Sequence, residues 1–166
     1  GLPRDENIVG KKARYEWLRF LNSRGKETPS VYEREPFVVE LCFRVYEPLQ
    51  HVQLGCTVKT LQDEIKLFTV ASQEFSNDFV PGHYRVQLRC DPNYLRAGDY
   101  VLTLRLFGNG MRQDHLSEAA YMTIHPSAAE QEGSIVLQNW VKGYLHFEYQ
   151  WSEPEPLETH TSTPHI

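Results

Sequence analysis

Ten consecutive residues, 37–46, alternate so regularly that this part of the chain has to be a β-strand buried on one side. Phe37, Val39, Leu41, Phe43 and Val45 fall on one face; Val38, Glu40, Cys42, Arg44 and Tyr46 fall on the other. A period of two matches the pleat of a strand, whereas a helix would scatter both sets around its axis. The pattern recurs downstream. Glu47-Pro48-Leu49-Gln50 reads as a turn, because proline cannot continue a hydrogen-bonded ladder. Residues 51–59 then turn Val52, Leu54, Cys56 and Val58 inward and His51, Gln53, Thr57 and Lys59 outward. After Gln62-Asp63-Glu64 a further strand is predicted over 65–71, and residues 72–82 read as a loop. Residues 83–90 and 100–107 alternate again, with Tyr84, Val86, Leu88 and Cys90, then Tyr100, Leu102, Leu104 and Leu106, on the inner faces. Gly108-Asn109-Gly110 ends the latter as a turn rather than as part of a phosphate loop.

Shorter strands are predicted at 14–21, 120–125, 134–138 and 144–151, and residues 114–120 have room for one helical turn. Strands at roughly ten-residue spacing, with connections too short for crossover helices, specify an all-β chain: a jelly-roll-like β-sandwich of two antiparallel sheets. Its expected organisation is a linker or remnant over 1–10, a sandwich over 11–151 and a C-terminal tail over 152–166. The start Gly1-Leu2-Pro3-Arg4, without Met, fits an excised piece of a larger protein.

The composition narrows the function classes. A net charge of −5 leaves no basic stripe to displace counterions, so nucleic acid is not an expected partner. No apolar run is long enough to span a bilayer, and no basic-apolar-small pattern at the start directs secretion. Cys42, Cys56 and Cys90 form no C-x-x-C pair, which fits buried thiols in a reducing compartment. The histidines stand singly, with no metal-ligand spacing among them, so neither a metal nor a cofactor is expected. The chain also lacks G-x-S-x-G, H-E-x-x-H and G-x-x-x-x-G-K-[ST], and the reading is a binding module rather than an enzyme. Trp140 and Trp151 are expected in the core or between subunits.

The polar strand faces supply the candidate site. Arg44, Tyr46, His51 and Gln53 flank one turn, and Arg105 projects outward from a later strand. Planar side chains stack on the apolar face of a pyranose while Arg and Gln fork hydrogen bonds to its hydroxyls; several arginines favour an acidic or phosphate substituent. A solvated exterior is the alternative for each of these residues. Which strands share a sheet is open at this stage.

Three segments carry a family resemblance: Pro36-Phe37-Val38-Val39-Glu40-Leu41-Cys42-Phe43-Arg44-Val45, Leu95-Arg96-Ala97-Gly98-Asp99-Tyr100-Val101-Leu102, and Gly133-Ser134-Ile135-Val136-Leu137-Gln138-Asn139-Trp140. Over roughly residues 9–140 the chain resembles the C-terminal domain of Wzt-type ATPases, the nucleotide-binding subunits of ABC transporters that export O-antigen polysaccharides. The resemblance implies a non-catalytic carbohydrate-binding domain that recognises the terminal structure of an O-antigen glycan before export. Its parent's motor domain is absent here. It also implies a homodimer with residues 134–151 exchanged between subunits, a transporter membrane subunit as partner through the parent protein, and a cytoplasmic location peripheral to the inner membrane. The family has no fixed binding motif, so the resemblance adds no site residues. A β-sandwich protein-interaction module without sugar binding is the alternative. A cupin-like sugar enzyme would need clustered His and Glu ligands, which the sequence does not gather.

Overall fold

The alternation of residues 37–46 is realised as a strand buried from below and paired on both edges. In a computed structural model, described over residues 4–8, 10–127 and 149–158, the strands are β1 (Ala13–Leu21), β2 (Ser30–Tyr32), β3 (Phe37–Val45), β4 (Gln53–Thr60), β5 (Lys66–Ala71), β6 (Gly82–Cys90), β7 (Gly98–Gly108), β8 (Met111–His125), β9 (Tyr149–Trp151) and β10 (Glu155–Pro156). There is no helix among the described residues. One sheet has the order β1-β3-β6, with β9 and β10 both lying along the far edge of β6. The other has the order β2-β8-β7-β4-β5. The two sheets pack as the all-β sandwich that the alternation requires. One pairing departs from the expected antiparallel pattern: β2 runs parallel to β8, because the chain leaves β1 and crosses to the other sheet before laying Ser30 beside Thr123.

The inner faces supply the core as read. Phe37, Val39, Leu41, Phe43 and Val45 are all nearly inaccessible, and so are Leu54, Cys56, Val58, Val86, Leu88, Leu102, Leu104 and Leu106. Each such side chain contributes about 1.5–3 kcal/mol on leaving water, which is why the register of these strands is so tightly specified. An aromatic cluster closes one end. The Phe43 ring stacks on Tyr84 at 5.6 Å, and Phe79 meets Tyr84 edge-on at 4.9 Å. Phe79 and Phe75 come from residues 72–81, expected only as a loop. That loop is pinned by Phe79 N–H to Leu49 O at 2.8 Å, the reciprocal Leu49 N–H to Phe79 O at 2.9 Å, and Phe75 N–H to Val52 O at 2.9 Å.

The helical turn allowed for residues 114–120 does not form; β8 continues through it. The periodicity fails there because β8 bulges. Leu102 pairs with Ala120 and Leu104 with Leu116, so three residues of β8 oppose the single Thr103, whose hydroxyl donates to Ser117 O at 2.7 Å. A second irregularity turns Gln113 inward, where its amide donates to Gly108 O at 2.8 Å and accepts from Lys12 N–H at 2.9 Å. The Asn109-Gly110 turn between β7 and β8 has both residues at positive φ, 53° and 76°, the hairpin geometry that Asn-Gly favours.

Near the C-terminus, the stretch read as a tail pairs with the sheet as far as its described part goes. Glu155 lies opposite Arg85, and Leu157 N–H donates to His83 O at 2.8 Å. Trp151 is buried opposite Leu88, in keeping with a core role. The strand expected at 134–138, most of that expected at 144–151, Trp140 and the proposed exchange segment before Tyr149 lie outside the described residues.

Candidate functional site

The connection after β3 decides which candidate residues can meet. It was expected to be a turn that holds Arg44, Tyr46, His51 and Gln53 together. Instead β3 and β4 belong to different sheets, and residues 46–52 arch across the end of the sandwich. The physical reason lies in the turn itself: Leu49 and Val52 are fully buried, so the segment plugs the core rather than folding back as a hairpin. His51 reaches this path through a left-handed backbone, φ 55°.

The five candidates therefore separate. Arg44 points away from the core on β3, its guanidinium 4.8 Å over the exposed Tyr46 ring. His51 sits at the arch, exposed, with its Nδ1 paired to the Glu74 carboxylate. Gln53 and Arg105 lie on the outer face of the other sheet, on adjacent strands: Gln53 is opposite Phe107 and Arg105 is opposite Gly55. The amide of Gln53 donates to Ser72 O at 2.8 Å.

Arg105 is the best-placed of the five. Glycine at 55 sets no side chain opposite it; a Cβ there would stand 3.8 Å from the Arg105 Cβ, an ordinary contact. The Arg105 Nη1 donates to Thr57 Oγ1 at 2.9 Å, and Thr57 Oγ1 shares a 2.8 Å hydrogen bond with Thr69 Oγ1. Thr57, read as facing outward, does so but is buried in this hydroxyl layer, as is Thr103 beside it. His115 lies directly across from Arg105 on β8, and Arg112 covers the Phe107 ring at 5.6 Å. Burial first, then the neighbouring Arg105 and Arg112 charges, hold the His115 imidazole below its ordinary pKa. It is consequently neutral near pH 7, and the positive charge beside it belongs to the two arginines. Among the described residues no carboxylate forms an ion pair with either of them.

The outer face of the first sheet is different in kind. Glu40, 2% exposed, accepts from Arg19 at 2.6 Å and from the Gln87 amide at 2.7 Å. His83 Nδ1 is 2.8 Å from Glu16, and Arg85 is paired with Glu155. Most of the charge there is internally matched, which suits holding the sheet together. Sequence reading missed Arg112, Thr57 and Thr103. Gly55 inside an alternating strand was the one available signal, since such a glycine has no side chain to pack beside its neighbours. Glu16, Cys42 and His83 converge on this same face from three strands, a grouping that no linear spacing displays.

Comparison with known proteins is consistent with this architecture. A family model described as the Wzt C-terminal domain matches residues 6–152. Among solved structures, one titled as the crystal structure of the C-terminal domain of wzt superposes with a TM-score of 0.65. It is 15% identical, over 76% of this chain and 83% of that one, a likeness of fold. No curated protein sequence matches the chain.

Proposed function

We propose, from the premise that this chain belongs to the Wzt C-terminal domain family, that it is a non-catalytic carbohydrate-binding module. It would recognise the terminal structure of an O-antigen polysaccharide for export by an ABC transporter. The observation that carries the reading is the outer face of the β2-β8-β7-β4-β5 sheet. There Arg105 and Arg112 have no carboxylate partner among the described residues, in a chain whose net charge is −5. Two guanidiniums beside a hydroxyl layer, with no described carboxylate to neutralise them, suit an anionic ligand, and a planar fork suits a carboxylate or phosphate bidentately. The preferred glycan is therefore one with an acidic or phosphate-bearing cap. Phe107, with Arg112 over its ring, offers an aromatic edge next to them.

The same reading includes a homodimer, a membrane subunit reached through the parent protein, and a position peripheral to the inner membrane on the cytoplasmic side. No helix among the described residues is long and apolar enough to cross a membrane.

Calorimetry with polysaccharide from the source strain tests the proposal. Saturable binding in about the micromolar to millimolar range is expected, with none to neutral glucans or mannans. Arg105→Gln should weaken binding about 10- to 100-fold, the worth of a hydrogen bond to a charged group. Its melting temperature should stay within a few degrees. Absence of binding by the unaltered chain at millimolar ligand would overturn the reading and favour a protein-interaction module instead.

A further inference from the structure

The pleat brings three metal-ligating side chains to one spot on the sheet formed by β1, β3 and β6. β3 contributes Cys42, opposite Trp17 of β1 and Arg85 of β6. His83 lies two residues before Arg85, diagonal to Cys42. Glu16 occupies the bulge between Tyr15 and Trp17, where the register with β3 slips by one residue. Tyr15 faces the core, so ordinary alternation turns the Glu16 side chain to the same side as Cys42 and His83, where its Oε2 is 2.8 Å from His83 Nδ1. A carboxylate oxygen, an imidazole nitrogen and a thiol sulfur all lie within 4.8 Å of one another.

We propose that Glu16, Cys42 and His83 form a binding site for a borderline divalent cation, with zinc the best fit. A tetrahedral zinc ion with bonds of about 2.0–2.3 Å needs its ligand atoms roughly 3.3–3.8 Å apart. The three groups reach that geometry when the Glu16–His83 hydrogen bond opens and the ion takes its place. Thiolate, imidazole and carboxylate together suit zinc and exclude magnesium and calcium, which want oxygen throughout. Three protein ligands leave a fourth position for water.

The surroundings of Cys42 support the site. Its sulfur is buried and makes only a weak 4.0 Å contact with the Phe43 carbonyl. A buried thiol next to a carboxylate is unfavourable as a thiolate until a cation arrives, after which the coordinating thiol is deprotonated outright. Binding releases the thiol proton to solvent, so affinity rises with pH. The bound ion would staple the edge strand β1 to β3 and β6, on the opposite side of the sandwich from Arg105. It does not depend on sugar binding.

The test is titration of the full, reduced, chelator-treated chain with Co2+, followed by Zn2+ competition. One equivalent of Co2+ should produce near-ultraviolet thiolate-to-cobalt absorption and the visible bands of a four-coordinate ion, both erased by Zn2+. Cys42→Ser should abolish the near-ultraviolet band. His83→Gln, at a partly exposed position that leaves the core intact, should weaken Co2+ binding at least tenfold, as should Glu16→Gln. No thiolate absorption up to millimolar Co2+ would overturn the site, and so would an undiminished band in folded Cys42→Ser or His83→Gln protein.

Discussion

Replacing Asp114 with alanine is expected to cost about 3 kcal/mol of folding stability, towards the lower end of what breaking a buried, hydrogen-bonded charge pair costs. The carboxylate is 3% exposed. Its Oδ2 accepts from Tyr15 N–H at 2.8 Å and Arg4 Nη1 at 2.5 Å, and its Oδ1 accepts from His115 N–H at 3.0 Å. These bonds tie β1 of one sheet to β8 of the other at an edge where no ladder joins them. Alanine leaves the buried Tyr15 amide without its acceptor, and unmet buried donors are expensive. The Arg4 side chain is 17% exposed and can partly rehydrate, which keeps the loss from being larger. Asp114→Asn keeps one acceptor oxygen and should lose only about half as much. In a domain of this size the alanine variant should melt about 6–12 °C lower. Urea unfolding of both variants checks this, and an alanine cost below about 1 kcal/mol would mean that the bridge between sheets contributes little.

A larger effect is expected from Phe43→Ala, about 3–5 kcal/mol. Phe43 is fully buried and its ring touches Tyr15 edge-on at 6.5 Å, Phe79 at 6.0 Å and Tyr84 at 5.6 Å. Removing it opens a cavity whose walls belong to both the strands and the 72–81 loop, so the loop should loosen before the sheets do. Hydrogen exchange should accelerate at the Phe75 and Phe79 amides more than at those of Leu41 or Val86 under native conditions. Uniform acceleration across all four would argue that the loop is not a separable part of this cluster. Phe43→Leu should recover most of the loss, since it restores most of the volume.

The strands legible in the sequence were those with an undisturbed ladder: β6 follows its alternation almost residue for residue, while β3 and β7 keep the predicted inward set but also bury Glu40, Cys42, Val101 and Thr103 on the other face. β8 was half legible, because its bulges at Ser117–Ala119 and Gln113 shift the inward set and break the period. Phe75 and Phe79 were hidden because a loop's core residues obey no period at all. Sheet membership could not be read, since a turn of seven residues serves equally for a hairpin and for the arch that Leu49 and Val52 plug. That one ambiguity divided the candidate site: Arg44 and Tyr46 went to one face, Gln53 and Arg105 to the other. The grouping of Glu16, Cys42 and His83 was invisible for a related reason. It arises from lateral register between three strands rather than from spacing along any one of them.

The proposal that the face bearing Arg105 binds glycan is tested most directly by amide chemical-shift mapping during titration with an acid-capped oligosaccharide of the source strain's polysaccharide. The account predicts the largest shifts at Gly55, Thr57, Thr103, Arg105 and His115, on adjoining strands of one sheet. Shifts confined to Arg44, Tyr46, His83 and Arg85 would place binding on the opposite face and contradict it.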